Sequence, residues 1–462
     1  MKDLANKSVL VLGLGETGLS LVRWLVTQGA NVRVADSREQ PPTMEQVRNQ
    51  FPQVVIHCGA FCDEIFGNVD LIAISPGISL QEPSVLRAAA RGIPIVGDVE
   101  LFAQSLSSRS LPQKSRPQLI AITGSNGKTT VTSLVEHLCQ AAGKDVVAAG
   151  NISPAVLDAT LQRGDDQPEV WALELSSFQL ETTHHLNANA ATVLNISQDH
   201  LDRYASMDDY AAAKARIFIG CDVQVLNRDD ARSISMAQPG CKIVTFGLNL
   251  PDAEHDFGIE RAAQHIWLVQ GKQRLLKASE LPLTGLHNVA NALAAVALCR
   301  AIDLPMQPLL DALRTFKGLP HRVQHVAEIN GVTYYDDSKG TNVGATVAAL
   351  QGLGRKAVLI AGGEGKGQDF APLKPAVAQH ARAVLLIGRD APLIDAALNG
   401  SGVQVVHAKD MRDAVQQASK LARRGDAVLL SPACASFDMF RNYVHRAEVF
   451  IAEVVALKGV AT

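Results

Sequence analysis

No block of basic residues occurs in this 462-residue chain, and its formal net charge is −3. A nucleic-acid partner is therefore not expected, and phosphate binding would have to come from focused sites. No apolar run approaches the roughly 18 residues of a membrane span, so no membrane partner is expected either. The opening Met1-Lys2-Asp3-Leu4-Ala5-Asn6-Lys7 lacks the apolar region and cleavage site of a secretory signal. Seven cysteines, an odd number, are scattered from Cys58 to Cys434 without a paired C-x-x-C spacing. They read as small core hydrophobes in a reducing compartment rather than as disulfides or zinc ligands. Internal repeats and low-complexity segments are absent as well. The expectation is a soluble, cytoplasmic protein.

What is present is globular: 47% hydrophobic and 19% charged residues. The length is too great for one ordinary core and suits two to four domains. Apolar runs of strand length alternate with helical spacing nearly throughout, which predicts an α/β fold of largely parallel sheets with ligands at strand ends. Composition shifts place domains at residues 1–97, 98–318 and 319–462, with a Ser/Pro/Lys/Arg-rich linker from Ser107 to Arg116.

The most informative stretch is Leu119-Ile120-Ala121-Ile122-Thr123-Gly124-Ser125-Asn126-Gly127-Lys128-Thr129-Thr130. An apolar strand runs into a Gly-rich turn and then into a helix. Glycines let backbone amides approach an anion, and the helix start adds partial positive charge. Lys128 can reach the β- and γ-phosphates, and the Thr129 hydroxyl is placed for Mg²⁺. The usual eight-residue phosphate loop has a glycine where Ile122 stands, so this is a shorter variant. Near the N-terminus, Ser8 to Leu12, then Gly13-Leu14-Gly15-Glu16-Thr17-Gly18, then a second strand ending in Asp36, form a dinucleotide-type fingerprint. The same turn serves any diphosphate, and Glu16 puts a negative charge beside the anion site. NAD and another diphosphate both stay open here.

Other polar groups follow strands. Glu174 closes Val170–Leu173 and pairs sensibly with Thr129 for one ion, against a structural salt bridge. Asn195 closes Ala191–Leu194, and Asn151 lies in a turn. His200, flanked by Asp199 and Asp202, suits a metal or substrate contact as well as a structural role. Lys214 looks like an exposed helical lysine. Cys434, in Ser431-Pro432-Ala433-Cys434, is more plausible as a buried small residue than as a nucleophile. Lys366 between two glycines and Asp336-Asp337-Ser338-Lys339 suit anion or ribose binding, or a solvated turn.

Taken together, Thr123 to Thr130, Leu173 to Gln179, Asp199 to Tyr204, His287-Asn288-Val289-Ala290-Asn291-Ala292, Leu319-Pro320-His321-Arg322 and Asp337-Ser338-Lys339 resemble the signatures of the Mur ligases. The resemblance covers essentially the whole chain in order. Ser431 to Asp438 and Ser177 to Thr183 are most similar to the D-glutamate-adding branch.

The resemblance implies three domains: an N-terminal Rossmann-like domain for the uridine substrate, a central P-loop ATPase-like domain, and a C-terminal Rossmann-like domain for the amino acid. It implies ATP-dependent addition of D-glutamate to UDP-N-acetylmuramoyl-L-alanine through an acyl phosphate, by a monomer. Gly124, Ser125, Asn126, Gly127, Lys128, Thr129, Thr130, Asn288, Arg322 and Asp337 would bind ATP. Leu14, Gly15, Glu16, Thr17, Asp36, Ser37, Arg38, Ser75, Gly77 and Asn151 would bind the uridine substrate. Thr341, Lys366, Ser431 and Phe440 would bind D-glutamate. Thr129 and Glu174 would hold one Mg²⁺ and His200 and Lys214 a second, with Lys214 carbamylated by CO₂. Lys128, Glu174, His200 and Lys214 would be catalytic.

Overall fold

The computed structural model describes residues 4–108, 116–283 and 285–460. Of the expected linker, residues 109–115 lie outside the described residues, as do Met1 to Asp3. The first sheet contains β1 (Ser8–Leu12), β2 (Asn31–Asp36), β3 (Val55–Cys58), β4 (Leu71–Ile74) and β5 (Ile95–Val96) in the order β3-β2-β1-β4-β5. All its pairings are parallel. Strand β1 is buried beyond its first residue, because helices cover both faces of such a sheet. After it, Gly13 takes φ +86°, and a Cβ on Gly18 would lie 1.9 Å from the Gly13 carbonyl. Only glycine lets the helix Glu16–Thr27 start that close to the strand.

The second sheet contains β6 (Gln118–Thr123), β7 (Val146–Gly150), β8 (Val170–Glu174), β9 (Ala190–Val193), β10 (Val223–Asn227) and β11 (Lys242–Phe246), ordered β11-β10-β9-β6-β8-β7 and parallel. An antiparallel sheet of β12 (Phe257–Ala262), β13 (His265–Gln270) and β14 (Gln273–Lys277) follows, which the sequence reading did not anticipate. Its strands carry Glu260, Arg261, Arg274 and Lys277, so no long apolar run announces them.

The third sheet contains β15 (Gln324–Ile329), β16 (Val332–Asp336), β17 (Ala357–Gly362), β18 (Ala381–Ile387), β19 (Gln404–His407) and β20 (Ala427–Leu430), ordered β15-β16-β20-β17-β18-β19. It is parallel except for the hairpin β15–β16, turned at Asn330 and Gly331, both with positive φ.

One apolar core runs without a break from the first sheet into one face of the second. It includes Phe102, after the first sheet, stacked edge-on against Trp171 of β8 at 5.1 Å. Two expectations need correction. Lys214 is 1% exposed, because its helix, Met207–Ala215, packs that residue inward beside Tyr210. The cysteines are not uniformly core: Cys58 and Cys62 are exposed, while Cys139, Cys221, Cys299 and Cys434 are buried. Burial pushes the Cys434 thiol up to about 12, which leaves it unreactive.

Candidate active site

In the first sheet the order reverses between β1 and β4, and the loops after those strands open a crevice. A cleft of about 520 Å³ there is lined by Gly15, Glu16, Thr17, Asp36, Ser37, Arg38, Ser75 and Gly77, with Asn151 and Ser153 contributed by the second sheet. Leu14 is buried outside this lining, and its N–H donates to Asp36 Oδ2 at 2.6 Å. The same carboxylate accepts from the Arg38 N–H, Nε and guanidinium at 2.9, 2.8 and 2.6 Å. Burial pushes the Asp36 carboxyl up, but these hydrogen bonds outweigh it and hold the group below its ordinary value. Four donors saturate a carboxylate, so Asp36 orients Arg38 and is not free for the ribose that a nicotinamide dinucleotide would bring. A Cβ on Gly15 would meet nothing within 4 Å, so the backbone at the helix start is open to the cleft.

The phosphate loop leaves the end of β6, between the ends of β8 and β9. Gly124 and Gly127 have φ of +152° and +87°. Asn195, just beyond β9, braces the loop: its Oδ1 accepts the Asn126 N–H at 2.8 Å, and its amide donates to the Asn126 carbonyl at 3.0 Å. Ser125 Oγ donates to the Ser197 carbonyl at 3.0 Å. Lys128 Nζ folds back to donate to the Gly124 and Ser125 carbonyls at 2.8 and 3.0 Å, which uses two of its three donors. Desolvation lowers its pKa, against the pull of Glu174 and Asp199. Beside the loop lies a cleft of about 350 Å³ lined by Asn126, Gly127, Thr130, Asn288, Arg322 and Asp337, together with Asn195, His287 and Asn291.

Glu174 ends β8 with 2% exposure. One oxygen accepts from Asn151 Nδ2 at 2.7 Å, while Oε2 is buried without a hydrogen-bond partner. A sealed carboxylate oxygen of this kind fits a cation ligand better than a salt bridge, since among the described residues no basic side chain forms an ion pair with it. Lys214 Nζ donates to Thr123 Oγ1 at 3.2 Å and lies 4.8 Å from the Tyr210 ring centre. Burial, reinforced by the charge of Lys128, drives its pKa well below the ordinary lysine value. His200 has φ +56°, stacks edge-on against Phe178 at 4.7 Å and is held below its ordinary pKa, chiefly by burial. Among the described residues, no three His, Cys, Asp or Glu side chains gather as a metal cluster. The expected Mg²⁺ ligands Thr129, Glu174, His200 and Lys214 include one carboxylate and one histidine, which suits an ion that would keep waters and phosphate oxygens as its other ligands.

The carboxyl end of the third sheet faces this loop. Asn342 Nδ2 donates to Asn126 Oδ1 at 3.0 Å, and Lys366 Nζ lies 3.9 Å from Asp199 Oδ1. Arg322 reaches Thr129 itself. Burial pushes the Asp337 carboxyl up to about 7, although a hydrogen bond from Ser431 and the Arg322 charge oppose it. Ser431 is fully buried, with its hydroxyl donating to Asp337 Oδ2 at 2.7 Å. Thr341 follows the turn after β16. Phe440 packs against the core beneath β20 and stacks edge-on with His445. Asn195, Asn291 and Asn342 were not assigned site roles from sequence. Asn195 could have been, since it directly follows an apolar strand whose neighbour carries the phosphate loop.

The geometry is that of an ATP-using α/β ligase, and family comparison agrees. Residues 7–97 match the Mur ligase MurD-like N-terminal domain, 122–299 the Mur ligase middle domain and 321–434 the Mur ligase glutamate ligase domain. The chain belongs to the Mur ligase family. It is 58% identical over 458 residues to UDP-N-acetylmuramoylalanine–D-glutamate ligase of Methylobacillus flagellatus, covering 99% of both chains. It is 56% identical over 459 residues to the enzyme of the same name from Nitrosomonas europaea, covering 98% of this chain and 97% of that one. Among solved structures, UDP-N-acetylmuramate–alanine ligase of Thermotoga maritima shares the fold, with a TM-score of 0.60 at 20% identity over 97% of this chain and 99% of that one.

Proposed function

We propose that this protein joins D-glutamate to UDP-N-acetylmuramoyl-L-alanine with conversion of ATP to ADP and phosphate, a cytoplasmic step of peptidoglycan precursor synthesis. The observation that carries the reading is the phosphate loop facing a buried, unpartnered Glu174 oxygen, in a chain more than half identical to ligases of that name.

The division of labour follows the three sheets, with domains at 1–97, 98–318 and 319–462. The first cleft takes the uridine diphosphate, with Gly15, Thr17, Ser37, Arg38, Ser75 and Gly77 around it and Asp36 and Leu14 setting Arg38. Asn151 contacts the muramoyl-alanine arm; its hydrogen bond to Glu174 and its place in the lining of the first cleft support this. Gly124 to Thr130, Asn288, Arg322 and Asp337 hold ATP. Thr341 and Lys366 hold the D-glutamate carboxylates, and Ser431 and Phe440 support them from behind.

A carboxylate is a poor acyl donor, so the alanyl carboxylate first takes the γ-phosphoryl group, which gives an acyl phosphate and ADP. Lys128 sits at the loop to neutralise charge on the phosphoryl oxygens. Mg²⁺, which Thr129 and Glu174 would hold with a second ion at His200 and Lys214, supplies charge neutralisation and orientation when bound. Burial and the Lys128 charge favour the neutral form of Lys214, the form that reacts with CO₂, and the carbamate would turn a cation into an oxygen donor. The free amine of D-glutamate then attacks the acyl carbon and phosphate leaves. The protein acts as a monomer, and no described helix is long and apolar enough to cross a membrane.

The test is phosphate release from ATP with UDP-N-acetylmuramoyl-L-alanine and each candidate amino acid in turn, with products weighed by mass spectrometry. Release with an amide product for D-glutamate alone is expected. A product with another amino acid would move the acceptor-site assignments, and release without any joined product would remove the ligase reading.

A further inference from the structure

Glu16 is the first residue of the helix Glu16–Thr27 and lines the first cleft, an unfavourable place for an acid if a diphosphate is to settle against that helix end. The structure gives the carboxylate another partner. Ser153, from the loop after β7 of the second sheet, donates its hydroxyl to Glu16 Oε1 at 2.6 Å. This contact is the end of a line. Ser20 Oγ accepts the Asp158 N–H at 3.0 Å, and Arg23 pairs with Asp158 at 3.1 Å. Residues 16, 20 and 23 fall at i, i+4 and i+7, on one face of the helix. The helix that opens the first cleft is thus docked lengthwise on segment 153–158 of the central domain, and of these three helix residues Glu16 lines the cleft.

We propose that Ser153 is a positioning residue that acts through Glu16. It holds the carboxylate against the central domain and out of the diphosphate position, so that docking of the two domains makes the helix end receptive to an anion. The inference rests on the reading of this cleft as the uridine-diphosphate site. If Ser153 is lost, Glu16 regains its freedom and its charge opposes the diphosphate at close range. If Glu16 carries no charge, the loss of Ser153 has little left to release.

The experiment is a double-substitution cycle on the full chain with Ser153→Ala, Glu16→Gln and the pair. KM and kcat are measured for UDP-N-acetylmuramoyl-L-alanine, and UDP binding is measured by calorimetry. Ser153→Ala is expected to raise KM for the uridine substrate by about tenfold, with the change falling on KM rather than kcat. In the Glu16→Gln background the same substitution is expected to change KM less than about twofold. An equal rise in both backgrounds would mean that Ser153 touches the substrate or merely braces the interface, and it would overturn the proposal. So would no rise in either. Failure of the parent protein to bind UDP would instead overturn the reading of the cleft, whatever the cycle shows.

Discussion

Arg322 donates a hydrogen bond of 2.8 Å to the hydroxyl of Thr129, so the C-terminal domain touches the first turn of the phosphate-loop helix directly. The two residues are 193 positions apart. A guanidinium in this place could bridge the loop and a bound nucleotide.

Replacing Arg322 by Lys keeps a charge but removes the fork that can hold Thr129 and a phosphate oxygen together. The expected result is a fall in kcat/KM for ATP of about 10- to 100-fold, with KM for UDP-N-acetylmuramoyl-L-alanine far less affected. Steady-state kinetics with each substrate varied separately checks this.

Gly127 has φ +87°, and a Cβ there would lie 2.7 Å from Asn291 Oδ1. Gly127→Ala should therefore lose nucleotide binding and about 1–2 kcal/mol of stability. Adding Asn291→Ala should recover part of the stability, since it removes the clash but leaves the backbone strain. Chemical denaturation of the single and double variants measures the difference.

Carbamylation of Lys214 predicts a carbamate ¹³C resonance after incubation with ¹³C-bicarbonate. Burial lowers the pKa of this amine and so favours its unprotonated form, the one that reacts with CO₂. The signal should vanish in Lys214→Arg. A spectrum identical in both proteins would remove the carbamate, and with it the second Mg²⁺ site as drawn here.

Asp98 opens the helix Asp98–Ser108 with 1% exposure, and Gln179 donates to its Oδ2 at 3.2 Å. Desolvation raises its pKa to about 6 from an ordinary 3.8, so the folded protein holds a proton that the unfolded chain releases. Where the folded state binds more protons, stability falls as pH rises. From this group the fall runs between about pH 4 and 6 and amounts to about 3 kcal/mol. Asp98→Asn lacks that contribution. Its melting temperature relative to the parent should rise from pH 4 to pH 7 and then level off; a constant difference would refute the assignment.

Much of this molecule was readable locally. Apolar runs such as Ser8–Leu12 and Leu119–Thr123 read as buried strands, and the Gly-rich turns after them as places where backbone can approach an anion. The hairpin at Asn330-Gly331 was not read, since β15 carries Gln, His and Glu on its exposed positions. Strands β12–β14 escaped because their burial does not alternate: Phe257, Gly258 and Ile259 are buried in succession, as are Leu268 and Val269, so neither a period of two nor a long apolar run stands out.

The sequence by itself determined the apolar strands such as β1, β6 and β8, the phosphate loop and the family, because periodicity and turn chemistry act over a few residues. Burial of Lys214, saturation of Asp36 by Leu14 and Arg38, the orphaned oxygen of Glu174, and the meetings of Arg322 with Thr129 and Ser153 with Glu16 were decided only by the tertiary structure. Most of these depend on strand order, on which helix face turns inward and on how one sheet is set against the next. Those are properties of packing between distant segments, where desolvation and long-range contact rather than local propensity set the outcome.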